Sequence, residues 1–196
     1  MSTINSSEDF YFKMACDFLV DNKEWYLKRF AYAACELWLC TEICNILNFD
    51  HASSFSTLAS NKYCFNEDAK RDLTVYDSQT EAILSHIEVK LLYPGYSFSK
   101  RASKITELFS KIEGNKQRKV DSGWFFIIWI STNCRGYKTS EAFFDDAFSE
   151  IKYWMEKSDV DYCLSEFGMI DVIGDQFPWG NKKKEVIVKA IAINRN

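Results

Sequence analysis

The run GWFFIIWI at positions 123–130 contains no charged or amide side chain. Successive side chains of a strand point to opposite faces, so this run fits a strand buried on both sides. It is far shorter than the roughly 18 unbroken apolar residues of a membrane span, and no other stretch approaches that length. A strand buried on both sides belongs in a sheet covered by helices on both faces. The chain offers helical patterns before and after it. A helix opening at Ser99 or Ser103 and ending near Glu113 carries Ile105, Leu108, Phe109 and Ile112 at helical spacing, with Gly114-Asn115 as its stop. A second, 140–157, carries Phe143, Phe144, Ala147, Phe148, Ile151, Trp154 and Met155. The predicted class is therefore α/β, a mixed β-sheet flanked by helices on both faces.

With 196 residues, 47% hydrophobic, the chain is long enough for one domain with a proper core and too apolar for disorder. Only two prolines and seven glycines leave no room for a long linker. A single domain, 1–196, is expected, with N-terminal helices in 1–48. The segment 55–130 would hold a hairpin, a basic helix and the central strand, and 140–196 a helix and the last strands. The N-terminus MSTINSSEDF has neither the basic start nor the apolar run of a signal peptide. Seven cysteines without framework spacing read as reduced thiols. Both point to a cytoplasmic location, with no membrane.

The first helix is capped by Ser6 or Ser7, has Glu8 and Asp9 in its first turn, and ends near Asp21 and Asn22. A long helix is expected over 23–48, apolar nearly all round, with a stripe of Phe30, Ala33, Leu37 and Cys44. Glu36 is the charge inside that apolar stretch, either ion-paired at the stripe's edge or reaching a site. Glu42 lies farther from the stripe and reads as solvated. Cys35, Cys40 and Cys44 could ligate a metal, but no Cys/His knuckle accompanies them and core packing is favoured. Segments 55–58 and 62–65 read as a first strand. Segments 162–173 and 185–193 read as the last strands, joined by a loop with Phe177-Pro178-Trp179-Gly180 and three lysines, 182–184. That loop reads as a hairpin tip, with stacking on nucleic acid as the second reading.

Residues 71–90, RDLTVYDSQTEAILSHIEVK, read as two strands joined by a turn. Asp72 opens the first strand, Leu73, Val75 and Tyr76 suit a pleated sheet, and Asp77, Ser78 and Gln79 are turn residues. In the second strand, 82–92, Ile87, Val89 and Leu91 face one way and His86, Glu88 and Lys90 the other. In a sheet covered on both faces, Glu88 and Lys90 share an enclosed cleft. Burying them costs free energy unless they serve each other or a ligand. His86 reads as hydrogen-bonded to a backbone group or at the cleft margin, and His51 as solvated in a Ser-rich loop.

An Asp at a strand start, a turn, then Glu-x-Lys on the next strand resembles the PD-(D/E)XK nuclease superfamily, with Asp72, Glu88 and Lys90 as the matching residues and Arg71 in place of the motif's Pro. The resemblance implies a restriction-endonuclease-like core. It implies Mg2+, with Mn2+ as a substitute, held by Asp72, Glu88 and the Val89 carbonyl. Lys90 would position the attacking water or stabilise developing charge, and Glu36, on the preceding helix, would add a ligand or an acceptor. The implied activity is a Mg-dependent deoxyribonuclease of restriction, defence or repair type, with RNA as a second candidate substrate and a homodimer or larger nuclease complex as a compatible assembly.

Charge distribution bears on the same reading. The net charge is −4, yet between Lys100 and Lys119 seven basic residues face two acidic ones. Lys100, Arg101, Lys104, Lys116, Arg118 and Lys119 are candidate phosphate contacts, expected on the helix's outer face and in the loop after it. The alternative function is a catalytically inactive nuclease-fold protein serving as a nucleic-acid-binding or assembly subunit. A cofactor-dependent small-molecule enzyme finds no fingerprint: there is no Gly-rich phosphate loop and no Ser-His-Asp order.

Overall fold

The computed structural model describes residues 7–32, 36–49, 62–67, 71–95, 97–114, 120–134, 136–165, 169–179 and 181–195. Three helices come first: α1 (Ser7–Asp21), α2 (Lys23–Tyr32) and α3 (Glu36–Phe49). Then follow β1 (Lys62–Asn66), β2 (Leu73–Asp77), β3 (Ile83–Leu92), α4 (Phe98–Glu113), β4 (Ser122–Ile130) and α5 (Ser140–Lys157). The chain closes with β5 (Tyr162–Leu164), β6 (Ile170–Trp179) and β7 (Lys182–Arg195).

These strands form one mixed seven-stranded sheet in the order β1-β2-β3-β4-β7, with β5 and β6 both paired to β7. β3 and β4 run parallel, and the other described pairings are antiparallel. All nine residues of β4 are buried. Alternate β4 side chains serve two cores: Trp124, Phe126 and Ile128 meet α1–α3, while Phe125, Ile127 and Trp129 meet α4 and α5. Each large side chain removed from water contributes about 1.5–3 kcal/mol, so this strand anchors the sheet. Helices therefore cover both faces, as the apolar run requires. Among the described residues no helix is long and apolar enough to cross a membrane.

Local chemistry fixes the elements nearest the site. The β2–β3 turn is held by Asp77, whose Oδ1 accepts from the amides of Gln79 and Thr80 at 2.9 and 2.8 Å. Those donors favour the ionised carboxylate and lower its pKa. α4 is capped by Ser97, two residues before Ser99 and six before Ser103, with its hydroxyl accepting from Lys100 N.

Five other expectations change. The helix expected over 23–48 is two helices, and Glu36 is the first residue of the second. Arg29 Nη1 and Tyr26 Oη both donate to Glu42 at 3.1 Å. Thirteen residues of one helix would separate Arg29 from Glu42 by about 20 Å, so α2 and α3 must fold against each other. Glu42 is thus tied between the two helices rather than solvated, and Leu37 is 51% exposed rather than in the stripe. The strand expected over 162–173 is also divided. β5 ends at Leu164 opposite Ile193, and β6 begins at Ile170 opposite Ala190. The expected 177–184 loop is strand: Phe177 pairs with Lys184 and Trp179 with Lys182. Pro178 is tolerated because, among the described residues, β6 is bonded only to β7, and an edge strand can spare a donor. Segment 55–58, His51, Ala33 and Cys35 lie outside the described residues.

Candidate active site

The site exists because β2 is shorter than β3. Leu73 pairs with Ile87, and β3 then continues to Leu92 with β4 on its other side. On the side that β2 vacates, backbone amides need acceptors. Asp72, the residue before β2, takes Val89 N on its Oδ2 at 2.7 Å. Glu36, at the start of α3, takes Leu91 N on its Oε2 at 3.2 Å. Two carboxylates stand where a longer strand would have stood.

Lys90 projects into the same gap. Its Nζ lies 2.6 Å from Glu88 Oε1, 3.1 Å from Glu36 Oε1, 3.6 Å from Glu107 Oε1 and 3.9 Å from Asp72 Oδ2. α4 supplies two more cations: Lys104 Nζ meets Glu36 Oε2 at 3.0 Å, and Lys111 Nζ bonds Glu88 Oε1. Gly123 lets α4 come this close. It lies opposite Glu88 in the β3–β4 register, and a Cβ there would sit 2.4 Å from Leu108 Cδ2.

Burial and charge compete here. Glu88 is fully buried, and among the described residues its Oε2 has no hydrogen-bond partner. Desolvation works against ionised Glu36, but Lys90 and Lys104 outweigh it and hold its pKa below the usual carboxylate range. Burial likewise opposes charging Lys90, yet Glu88, Glu36 and Asp72 around it push its pKa up. Asp72 goes the other way. Desolvation and the neighbouring Glu88 raise it to about 6, despite the Val89 amide and the two lysines. Among the described contacts of the gap, four carboxylates face three ammoniums.

Asp72, Glu88, Lys90 and Glu36 are therefore brought together, with the Val89 backbone on the same strand edge. Glu107 and Lys111 were not anticipated. Their signal was available: Lys104, Glu107 and Lys111 share one helical face beside Leu108. Of the expected phosphate contacts, Lys100 is exposed, whereas Lys104 turns into the gap instead of lying on the outer face. Arg101 is a plain correction. Only 2% exposed, it joins α4 to α5 by donating to Glu150 Oε2 at 2.7 Å, Asp146 Oδ2 at 2.6 Å and Tyr137 Oη at 2.5 Å. Lys116, Arg118 and Lys119 lie outside the described residues. His86 Nδ1 sits 3.1 Å from the Thr74 hydroxyl. Cys40 is buried in the core, and Cys44 donates to the Cys64 carbonyl at 2.8 Å. The six described cysteines are free.

Fold and site define an α/β protein with a carboxylate–lysine cleft at the open edge of a central strand. No family model, curated protein or solved structure matches the chain. Among the described residues, no three Asp, Glu, His or Cys side chains are already gathered round a common cation position. The donor chemistry nevertheless fits a hard divalent ion: carboxylate oxygens, one of them buried and unpartnered on Glu88, beside an Asp72 whose charge is poorly compensated.

Proposed function

We propose that this chain is a metal-dependent nuclease that hydrolyses phosphodiester bonds in DNA, built on a restriction-endonuclease-like core. One observation carries the reading: Asp72, Glu88, Lys90 and Glu36, from three separate elements, meet where β2 stops short of β3. Asp72 and Glu88 would hold a magnesium ion, with the Val89 carbonyl as the backbone candidate and Mn2+ as a substitute. Such an ion, when bound, neutralises phosphate charge and acidifies a bound water.

The chain's own residues do the rest. Glu88, Glu36 and Asp72 favour the charged form of Lys90, which would serve as a donor that orients an attacking water and stabilises a phosphoryl oxygen as negative charge develops. Glu36 fixes Lys90 from one side and clamps the Leu91 amide, which holds the β3 edge rigid. Asp72 clamps the Val89 amide in the same way. Lys104 and Lys111 border the gap and can turn from carboxylates to phosphate oxygens when a strand arrives.

A second reading has its own support. Lys90, Lys104 and Lys111 are each already paired with carboxylates, as in a purely structural cluster. An inactive nuclease-fold subunit that binds nucleic acid or assembles with others would show the same pairing. Incubation with supercoiled, linear and single-stranded DNA, with magnesium and with EDTA, separates the two. The enzyme reading expects magnesium-dependent cleavage that falls roughly 10²- to 10³-fold in Lys90→Ala, the loss typical of one charge-stabilising donor. No cleavage of any form by the wild type would leave the inactive subunit.

A further inference from the structure

The face of the sheet that carries Glu88 and Lys90 continues onto β2 and β1, and there it is aromatic. Thr74 pairs with His86, Phe65 with Thr74, and Tyr63 with Tyr76. Side chains alternate, so these residues share the face of Glu88 and Lys90, while Cys64, Leu73 and Val75 on the opposite face enter the core against α1–α3. α4 packs over β3 and β4, and beyond it Phe65 stays 54% exposed.

The three rings, Phe65 exposed and Tyr63 and Tyr76 half-buried, are ordered. Tyr63 and Tyr76 stack, with centroids 5.2 Å apart and planes at 11°. Phe65 stands edge-on to both, at 5.3 and 6.0 Å. Because the rings touch one another, they make a platform rather than a cage around a compact cation. A shallow hollow of about 530 Å³ lies over them, lined also by Asn66 and Glu81. Glu81 adopts φ 55°, a left-handed conformation uncommon outside glycine, and its amide donates to the Asp77 carbonyl at 2.9 Å. Flat aromatic surfaces lining an open hollow suit a ligand that is itself flat.

We infer that Tyr63, Phe65 and Tyr76 form a stacking platform for unpaired bases of a nucleic-acid strand whose backbone passes the Asp72–Glu88–Lys90 gap. The inference rests on the nuclease reading, and it specifies the substrate as single-stranded or locally unpaired nucleic acid. Continuity selects this occupant. From the strand spacing, Phe65 is about 12 Å from Glu88 on the same sheet face, with no element between them among the described residues, which is within a few nucleotides' reach. In a duplex the base faces are already stacked on one another, so the platform has nothing to offer it. Base–ring stacking tolerates any sequence, since every base has a π-face. Lys104 and Lys111 at the gap would meet the backbone, while the rings would meet the bases.

The experiment measures affinity in EDTA, where cleavage plays no part, using one fluorescein-labelled oligodeoxynucleotide either single-stranded or annealed to its complement. The wild type should bind the single strand more tightly than the duplex. Phe65→Ala should weaken single-strand binding roughly 5- to 100-fold and leave duplex binding unchanged, whereas Phe65→Trp should keep or strengthen it. Since Phe65 is half in solvent, its replacement is tolerated, and a thermal melt of each variant verifies this. Equal wild-type affinity for both forms, no binding to either, or Phe65→Ala affinity equal to wild type would overturn the platform. A wild type that prefers the single strand through Phe65 but cuts nothing in magnesium would overturn only the nuclease reading. Magnesium-dependent cutting with no Phe65 effect would overturn only the platform.

Discussion

α4 carries two ionic clusters, and they solve different problems. Arg101 presents a rigid fork to Glu150, Asp146 and Tyr137, so that each of its three nitrogens has a partner. In the other, Lys104 and Lys111 of α4, together with Lys90 of β3, face Glu36, Asp72, Glu88 and Glu107. There one Glu88 oxygen stays unpartnered among the described residues, and Asp72 is raised to about 6. The first cluster is saturated and joins two helices. The second holds more negative charge than its lysines compensate, at a gap in the sheet. Buried ions that merely stabilise tend to be matched, while groups that await a ligand are left short of a partner.

The largest expected effect breaks the saturated cluster. Arg101→Ala strands Glu150, whose side chain is only 10% exposed, and should cost about 3 kcal/mol of stability without changing any response to magnesium. Chemical denaturation with and without magnesium checks both parts. Lys90→Ala should cost less, because Lys104 and Lys111 remain to compensate Glu36 and Glu88. A Lys90→Ala loss larger than that of Arg101→Ala would show that the second cluster is structural in the same sense as the first.

Gly123→Ala tests how α4 is brought to the gap. The added methyl would sit 2.4 Å from Leu108 Cδ2, so the helix must withdraw. Overpacking of this kind costs about 1–3 kcal/mol. Activity should fall by more than the stability loss explains, because Lys104 and Lys111 move with the helix. Denaturation combined with cleavage rates in one variant series measures the two together.

A smaller effect concerns acid. A carboxyl raised to about 6 in the folded state, against an unfolded value of 3.8, binds its proton more tightly when folded. Its contribution to stability is therefore greatest below pH 4 and is lost as pH rises through about 6. Glu36 acts oppositely, since its lowered pKa gives stability above its unfolded value that is lost in acid. The difference between wild type and Asp72→Asn removes Glu36 from the comparison. That difference should shift by about 1–2 kcal/mol in favour of the wild type between pH 7 and pH 4, as read from melts in metal-free buffer.

What the sequence revealed follows the same division. The β4 run and the alternation of Glu88 and Lys90 were legible because a strand's period of two ties each residue to a face. The position of Glu36 was open between an ion pair and a site, since an apolar stretch does not show where its helix folds back. Arg101 and Lys104 were placed on an outer face because charge has a sign in sequence but no direction. The approach of Leu108 over Gly123 decides that direction, and it is a tertiary fact. Pro178 and Gly180 suggested a loop where an edge strand could accommodate the proline. The aromatic platform was invisible for a related reason: Tyr63 and Tyr76 are thirteen positions apart, and only the β1–β2 register stacks them.

The central claim is that the Asp72–Glu88 pair has room in its electrostatics for one more cation. A magnesium titration followed by thermal unfolding of wild type and Asp72→Asn measures this directly. An ion bound only by the folded protein raises stability by RT ln(1 + [L]/Kd), about 2.7 kcal/mol at a hundredfold excess over Kd. The wild-type melting temperature should climb with magnesium, and that of Asp72→Asn should barely move. A wild type indifferent to both magnesium and manganese, or an Asp72→Asn protein that responds as strongly as the wild type, would contradict it.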